Sequence, residues 1–246
     1  MSWEQLLTDL ESGKVRSANK IDGQWVANTA VKEGILAAFK AGQLKAEGGF
    51  VDKHNLFPQE FTVERGVRLV PGGSSVRRGS YVSKGVVIMP PAYVNVGAYV
   101  DEGTMVDSHA LVGSCAQIGK RVHLSAGVQI GGVLEPVGMR PVVIEDDVFV
   151  GAGSIIVEGI LVRERAVIAP GVILSKAVEV YDVVHQRVIP RGEGIPAGAV
   201  VVPGTRAFST SNEFITQRGL MLQCPVIIKY RDEKTDTSLV LEDALR

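Results

Sequence analysis

The chain has 246 residues, 26 Lys and Arg against 27 Asp and Glu, a net charge of −1 and 22% charged residues. This length predicts one or two domains, and the near-neutral charge argues against a polyanionic partner such as nucleic acid. No stretch approaches about 18 uninterrupted apolar residues, which disfavours a membrane span, and acidic residues near the N-terminus disfavour a secretory signal. Cys115 and Cys224 lie far apart without metal-binding spacing, so we expect reduced thiols in a cytoplasmic protein.

Two short helices are predicted near the start of the chain. Residues 2–12 carry apolar side chains at helical spacing, and so do residues 28 to about 44, where Gly42 is a stop signal. Residues 21–26 indicate a turn between the two helices. We expect residues 1–65 to form a helical cap domain, because the repeat region that follows has an open end whose apolar side chains and strand groups need cover.

The dominant pattern of the chain is a six-residue repeat within residues 66–206. An aliphatic residue opens each hexad, and glycine often fills the fourth position, where it relieves the steric cost of a corner. The repeat is interrupted at residues 136–143 and 186–194, and twenty hexads can be laid down in all. The opening residues are Val70, Val76, Val82, Ile88, Val94, Val100, Val106, Val112, Ile118, Leu124, Ile130, Ile144, Val150, Ile156, Val162, Ile168, Leu174, Val180, Ile195 and Val201.

This repeat predicts a mainly β fold. Three hexads make one triangular coil of eighteen residues, and successive coils stack as a parallel β-helix with the aliphatic residues inside. A β-sandwich is disfavoured, because its turns recur irregularly at about 8 to 12 residues. After the repeats, residues 220–230 predict a strand and residues 235–246 a terminal helix, so that 207–246 would form a C-terminal cap.

One stretch of the repeats resembles a known family. Residues 90–120 read PPAYVNVGAYVDEGTMVDSHALVGSCAQIGK, and they resemble the core of the tetrahydrodipicolinate N-succinyltransferases. The likeness continues through GVRLVP at 66–71, IGGVLEP at 130–136 and the terminal EDALR at 242–246. It covers nearly the whole chain with long contiguous runs, which makes it specific.

The resemblance implies a left-handed β-helix that assembles as a homotrimer, with the acyl-CoA in a groove between neighbouring prisms. It also implies transfer of a succinyl group from succinyl-CoA to the amino group of ring-opened tetrahydrodipicolinate, in lysine and diaminopimelate synthesis. Other hexad prisms include a zinc-dependent carbonic anhydrase class. A zinc site of that kind needs three converging imidazoles, and only His109 and His123 lie in the unbroken repeats, so we expect no metal.

Asp107 is the candidate base. The resemblance implies this role, because the family aspartate within the TMVD segment contacts the substrate amine. Independently, Asp107 takes the second place of its hexad, at a corner where a side chain can leave the core and accept a proton from an amine. His123 is the rival base, since an imidazole near pKa ~6.5 suits the task and other hexad acyltransferases use one. His109 would be a groove-wall residue. For Asp107, the alternative without function is a solvated corner aspartate like Asp101.

Other positions are candidates for binding substrate and cofactor. The resemblance implies that Arg68 binds a substrate carboxylate, and a planar bidentate donor suits that task, although a surface ion pair is the alternative. Corner residues without bulk, Gly151 and Ala169, can let the pantetheine arm of CoA approach. The CoA phosphates need cations, for which Lys176 is the candidate, followed by Arg163 and Arg165.

The chain departs from the family at one position. Family members carry an active-site glutamate four residues after the glycine that matches Gly151, and here that position is Ile155, with Glu158 as the nearest carboxylate. An acyltransferase acting on another amino-dicarboxylate, such as glutamate, therefore stays open, as does acetyl in place of succinyl. A hypothesis of a different class is a non-catalytic assembly subunit that uses the prism as a rigid spacer.

Overall fold

The computed structural model describes residues 2–210 and 212–232, and the terminal helix predicted at 235–246 lies outside them. Two N-terminal helices lie where the sequence predicts them, and the predicted turn at 21–26 lies within a β-hairpin. The elements of this part are α1 (Trp3–Glu11), β1 (Ala18–Ile21), β2 (Gln24–Ala27), α2 (Thr29–Ala41), β3 (Leu44–Glu47), β4 (Phe50–Lys53) and a 3₁₀ turn (Val63–Arg65).

Local signals set the bounds of these helices. Ser2 Oγ accepts a hydrogen bond from the Gln5 amide at 3.3 Å, and Asn28 Oδ1 accepts one from the Val31 amide at 3.3 Å. Each side chain satisfies one backbone donor that has no partner inside its helix. α2 stops directly before Gly42, as the sequence predicts.

The hexads build a triangular prism of parallel strands, with three faces within the described residues. Almost every strand is two residues long, and its second residue is a buried aliphatic that opens a hexad, so the predicted parallel β-helix is confirmed. Face A consists of β7 (Tyr81–Val82), β10 (Tyr99–Val100), β13 (Gln117–Ile118), β16 (Val143–Ile144) and β19 (Leu161–Val162). Face B contains β5 (Arg68–Leu69), β8 (Val87–Ile88), β11 (Met105–Val106), β14 (His123–Leu124), β17 (Phe149–Val150) and β20 (Val167–Ile168). Face C consists of β6 (Ser75–Val76), β9 (Tyr93–Val94), β12 (Leu111–Val112), β15 (Gln129–Ile130), β18 (Ile155–Ile156) and β21 (Ile173–Leu174).

The chain runs from face C to A to B, and we name the corners CA, AB and BC after the faces that they join. Val100 pairs with Ile118, so neighbouring coils are eighteen residues apart, as predicted. Ile118 pairs with Ile144, which is eight residues more, and this excess matches the predicted insertion at 136–143. The insertion therefore leaves the stacking of the coils intact.

Two of the predicted hexads are wrong, one at each end of the prism. Leu69, not Val70, pairs with Ile88, because a corner containing Gly72 at φ 141° needs one extra residue before the next face. At the other end Val162 pairs with Ile195, so the hexad predicted at Val180 is not part of the stack. Val180 belongs to a longer insertion instead. An antiparallel hairpin of that insertion, residues 181–188, lies at the end of the prism, and Ile189 after it packs into the core.

The N-terminal helices lie along the side of the prism, whereas the sequence predicted a cap over its open end. At corner CA, the space that a Cβ on Gly79 would need is filled by Leu7, and the space at Gly97 by Ile35. Phe61, from the segment after the hairpins, packs against the end of the prism core. The helices bury their apolar stripes on corner CA because glycines leave grooves there.

Both insertions leave the prism at corner CA. The first lies between β15 on face C and β16 on face A, and the second between β21 and Ile195. The first insertion turns back so closely that a Cβ on Gly113 would lie 2.2 Å from the Gly132 nitrogen, so this corner requires glycine. Corner CA thus carries α1, α2 and both insertions, while corner BC, which contains Asp107, carries none of these.

The C-terminal part closes the other end of the prism. β24 stacks on β20 of face B and then pairs antiparallel with β25, which confirms the strand predicted at 220–230. Ile227 and Tyr230 pack against the core there. Among the helices of the described ranges, none is long and apolar enough to cross a membrane. These elements are β22 (Tyr181–Asp182), β23 (Arg187–Val188), β24 (Ala199–Ala207), α3 (Glu213–Gln217) and β25 (Met221–Tyr230).

Asp182 ties the second insertion to β25. Its carboxylate, 0% exposed, accepts hydrogen bonds from His185 Nδ1 at 2.7 Å and Tyr230 Oη at 2.8 Å, and Arg187 Nε lies 3.4 Å away. Burial acts to raise the pKa of Asp182, but the hydrogen bonds from His185 and Tyr230 outweigh it and lower the pKa to about 2. The ionised carboxylate therefore stabilises the closed end of the prism.

Acidification should weaken this closure. The folded pKa of Asp182, about 2, lies below the unfolded value near ~3.9, so its stabilisation is present above about pH 4 and is lost as the pH falls towards 2. We expect Asp182→Asn to have a lower urea midpoint than the wild type at pH 6. Between pH 4 and pH 2.5, the midpoint of the variant should fall less than that of the wild type. Asp22→Asn, in an exposed turn, is the control and should keep the wild-type pH profile. An unchanged profile in Asp182→Asn would contradict this assignment.

Candidate functional site

Asp107 is held at corner BC, directly after β11. Its amide donates to the Leu124 carbonyl at 2.9 Å, and its own carbonyl accepts from the Ala110 amide at 3.1 Å. Oδ1 accepts from the Ser108 amide at 2.7 Å, and within the described residues Oδ2 takes no hydrogen bond. The backbone and one carboxylate oxygen are therefore fixed, while the second oxygen is available to a ligand.

The candidate residues Gly151 and Ala169 lie on the same corner as Asp107. Backbone hydrogen bonds between successive coils stack Met89, Asp107, Ser125, Gly151 and Ala169 in this order. Since parallel strands are about 4.8 Å apart, Gly151 lies two rows, or about 10 Å, from Asp107. From Ser125 onward the stacked positions of this column are the small residues Ser125, Gly151 and Ala169, so none of them places a bulky side chain beside the carboxylate.

Gly151 also has a packing reason to be glycine. It is buried, and a Cβ there would lie 2.4 Å from the Pro170 nitrogen. Ala169 is half-buried and more accessible. The predicted approach of the pantetheine arm thus has more support at Ala169 than at Gly151.

Arg68 and His123 lie on face B, each in the first position of its strand, and their side chains point outward. Arg68 is exposed on β5, two rows from the strand of Asp107, and forms no ion pair within the described ranges, so the alternative of a surface pair finds no support there. His123 pairs with Met105 in the strand next to its own, and its ring centroid lies 5.1 Å from that of Phe149. The fold thus places all three candidates on face B: Asp107 at the end of one strand, His123 one row from that strand and Arg68 two rows from it on the other side.

His109 lies in the turn of corner BC, two residues from Asp107. It is exposed, and its amide donates to the Pro91 carbonyl at 2.6 Å. Its φ of 61° is in the left-handed region, where a non-glycine residue is uncommon. Its role as a groove-wall residue stays a prediction.

Ile155 lies on face C, between Gln129 and Ile173, with its side chain half-buried and directed outward. Face C begins at corner BC, so Ile155 lies across that corner from face B. Glu158 lies at corner CA instead, where its Oε2 accepts from the Lys176 amide at 2.8 Å. Within one chain, Glu158 therefore does not supply a carboxylate to the corner of Asp107.

Lys176 lines a cleft of about 660 Å³ at corner CA. The cleft lies between the two insertions, with Gly131 and Gly132 on one side and a second cation, Arg191, on the other. Sequence reasoning missed Arg191, although its place between Pro190 and Gly192 in an insertion is a signal of an exposed, positioned loop residue.

Arg163 and Arg165 are not brought to this cleft. Arg163 follows β19 and donates its amide to the Ile195 carbonyl, and the Arg165 amide donates to the Asp146 carbonyl, both at corner AB. Within one chain the repeat therefore places them at a different corner from Lys176, and their contact with the CoA phosphates stays a prediction.

Glu145 has a perturbed pKa but a structural explanation. Burial acts to raise the pKa, yet hydrogen bonds from the Glu164 amide, Lys20 Nζ and Trp25 Nε1 outweigh it and hold the pKa at about 2. Lys20 and Trp25 donate to the same oxygen at 2.8 Å. Glu145 thus fastens the β1–β2 hairpin to face A, and its saturated carboxylate is not a candidate base.

Comparisons with known proteins agree with the sequence pattern. Residues 3–41 match the family model described as tetrahydrodipicolinate N-succinyltransferase N-terminal, and residues 141–176 match the hexapeptide repeat of succinyl-transferase. A 2,3,4,5-tetrahydropyridine-2,6-dicarboxylate N-succinyltransferase from Azoarcus sp. (strain BH72) is 45% identical over 98% of this chain and 88% of that protein. The enzyme of the same name from Psychrobacter cryohalolentis is 46% identical, again over 98% and 88%.

Two further comparisons concern a relative with a different name and a solved structure. Protein TabB of Pseudomonas amygdali pv. tabaci is 48% identical over 98% of this chain and 87% of its own length. A solved structure from Campylobacter jejuni, provisionally named a 2,3,4,5-tetrahydropyridine-2-carboxylate N-succinyltransferase, superimposes with a TM-score of 0.58 at 17% identity. It covers 92% of this chain, which spans 63% of that chain's length. At this identity the likeness concerns the fold alone, a left-handed parallel β-helix.

Proposed function

This chain belongs to the tetrahydrodipicolinate N-succinyltransferases, a family of acyltransferases, and we propose that it transfers succinyl from succinyl-CoA to the amino group of ring-opened tetrahydrodipicolinate. The observation that carries the proposal is the corner BC column, in which the carboxylate of Asp107 stands beside small residues. A fixed carboxylate next to small residues suits an amine that must meet a thioester.

In the proposed reaction the substrate nitrogen attacks the thioester carbonyl carbon, and the carbon–sulfur bond then breaks. Asp107 Oδ2 accepts the proton that the amine loses, and this proton passes to the departing sulfur of CoA. The hydrogen bond from the Ser108 amide to Oδ1 holds the carboxylate in one orientation throughout. Arg68, on the same face, pairs with a substrate carboxylate through its planar guanidinium.

The cofactor would lie between two copies of the chain. Lys176 and Arg191 are at corner CA, and Asp107 is at corner BC, so the cations and the carboxylate lie on opposite sides of face C. A CoA molecule held by its phosphates at corner CA of one chain can present its thioester to corner BC of a neighbour. We therefore propose a homotrimer with sites shared between subunits, the arrangement that closed cyclic symmetry favours.

The identity of the acceptor rests on Ile155 and its surroundings. Leu111, Ile155 and Ile173 make the outer surface of face C largely apolar beside corner BC. A glutamate at Ile155 would offer a carboxylate to a polar end of the acceptor, and isoleucine cannot. Because the carboxylate is absent, another amino-dicarboxylate, such as glutamate, is the second candidate acceptor.

Acceptor choice can be measured by thiol release from succinyl-CoA. We expect the purified protein to consume tetrahydrodipicolinate at least about 100-fold faster than glutamate, since discrimination of that size needs only ~3 kcal/mol. Acetyl-CoA in place of succinyl-CoA serves as the donor control. Thiol release with glutamate alone would refute the proposed acceptor and leave the acyltransferase activity standing.

A further inference from the structure

Lys32 is a lysine whose side chain is enclosed by the protein. It lies on α2 with an exposure of 0%, and burial lowers the pKa of its ammonium group, while the nearby Cys115 thiol acts to raise it. Burying a lysine is costly unless its charge finds a partner, and an aliphatic residue would fill the same space without that cost. The hydrogen bond of Lys32 is therefore the informative part.

That hydrogen bond reaches the first insertion. Lys32 Nζ donates to the carbonyl of Met139 at 2.5 Å, more than a hundred residues further along the chain. Next to it, Arg140 donates to the Gly159 carbonyl through Nη2 at 2.9 Å and through Nε at 3.2 Å. Two cations thus hold consecutive residues of the insertion, one from α2 and one against the next coil of the prism.

The held segment forms a wall of the corner CA cleft. Glu135 and Met139 of the insertion line the cleft on one side, and Lys176 and Arg191 lie on the other. The position of the Met139 backbone therefore sets the distance between the insertion and the two cations. α2 does not line the cleft itself, and the Lys32 ammonium group provides its hydrogen bond to that backbone.

We propose that Lys32 is a positioning residue that fixes the width of the cleft through the Met139 carbonyl and so controls the affinity for the CoA moiety. This inference rests on the proposed function, in which that cleft binds CoA. It assigns to helix α2 a role in cofactor binding without direct contact with the cofactor.

Calorimetric titration of the intact protein with coenzyme A tests the proposal. We expect Lys32→Met, which keeps the length and removes the donor, to raise the Kd for CoA and the KM for succinyl-CoA by about tenfold, because a charged hydrogen bond is lost. The kcat and the KM for the amino acceptor should change by less than about twofold, since corner BC is untouched. Lys32→Arg, which keeps a cationic donor, should recover most of the affinity.

Ser17→Ala is the matched control. Ser17 is buried at the same corner and its Oγ donates to the Gly97 carbonyl at 2.8 Å, so the variant loses a buried bond without touching the insertion. Equal CoA affinities in Lys32→Met and the wild type would overturn the inference, and so would equal losses in Lys32→Met and Ser17→Ala. A wild-type protein that binds no CoA would instead refute the proposed function.

Hydrogen exchange on the wild-type protein gives a second test that needs no folded variant. If Lys32 links α2 to the cleft, CoA should slow amide exchange both in residues 136–141 and in α2, because coupling between sites is reciprocal. Protection confined to the insertion would contradict the link.

Discussion

Asp107→Asn should lower kcat with succinyl-CoA by about 10²- to 10⁴-fold, the contribution of a positioned general base. The asparagine can still accept the Ser108 amide through its carbonyl oxygen, so the corner should keep its shape and the melting temperature should change little. It cannot take a proton from the substrate amine. Steady-state thiol release together with thermal unfolding measures both parts of this expectation.

Asp101→Asn is the matched control for this prediction. Asp101 also holds the second place of a hexad, and its Oδ1 accepts from the Glu102 amide at 2.8 Å in the same way. It stands at corner AB, away from the proposed site, so its replacement should leave kcat within about twofold. Full activity in Asp107→Asn would exclude it as the base, and His123 would then be the candidate to replace next.

The same pair of variants separates an enzyme from an assembly subunit. If the chain were a non-catalytic spacer, the wild type would release no thiol with any amino acceptor, and both variants would resemble it. Activity in the wild type, combined with a selective loss in Asp107→Asn, contradicts that hypothesis. The two aspartates share local geometry and differ in corner, so a selective loss assigns the function to corner BC.

Ile156→Ala should lower the free energy of unfolding by about 2 to 5 kcal/mol, since it removes a fully buried side chain and leaves a cavity. Ile156 is 0% exposed and stacks between Ile130 and Leu174 in the prism interior. The rigid coils on both sides limit relaxation into the cavity. The urea midpoint is the measurement, and the melting temperature should fall by roughly 2 to 4 °C per kcal/mol.

Ile155→Ala provides the comparison within the same strand. Ile155 has the same side chain and the adjacent position, but it points outward and is half-buried, so its loss of unfolding free energy should be less than half of that in Ile156→Ala. A loss in Ile155→Ala as large as in Ile156→Ala would contradict the assigned orientation of this strand.

The regular part of the fold follows from local sequence. A hexad needs only an aliphatic residue that points inward and a residue that tolerates a corner, and both are visible in a single repeat. The eight-residue excess at the first insertion was equally readable, because the stacking of Ile118 on Ile144 resumes in the same phase. The ends were misread at Val70, which directly follows the paired residue Leu69, and at Val180, where the chain has already left the stack.

The corner that a residue occupies follows from counting, and the candidates at corner BC were found in this way. Asp107 and Ala169 differ by 62 residues, yet the repeat and the insertion length together put them on one corner. Counting also separates Arg163 and Arg165 from Lys176, a consequence that the composition of the chain does not reveal. Arg191 was missed because residues inside an insertion carry no repeat phase.

The sequence by itself determined the prism, its handedness through the family resemblance, and the corner carboxylate, because these depend on periodic local geometry and on contiguous motifs. Only the tertiary structure decided that α1 and α2 lie along corner CA, that both insertions meet there, and that Lys32 holds the Met139 carbonyl. Those contacts join segments more than a hundred residues apart, and no local preference encodes which groove an amphipathic helix will fill. Glycine grooves at Gly79 and Gly97 favour that docking only once the coils have stacked.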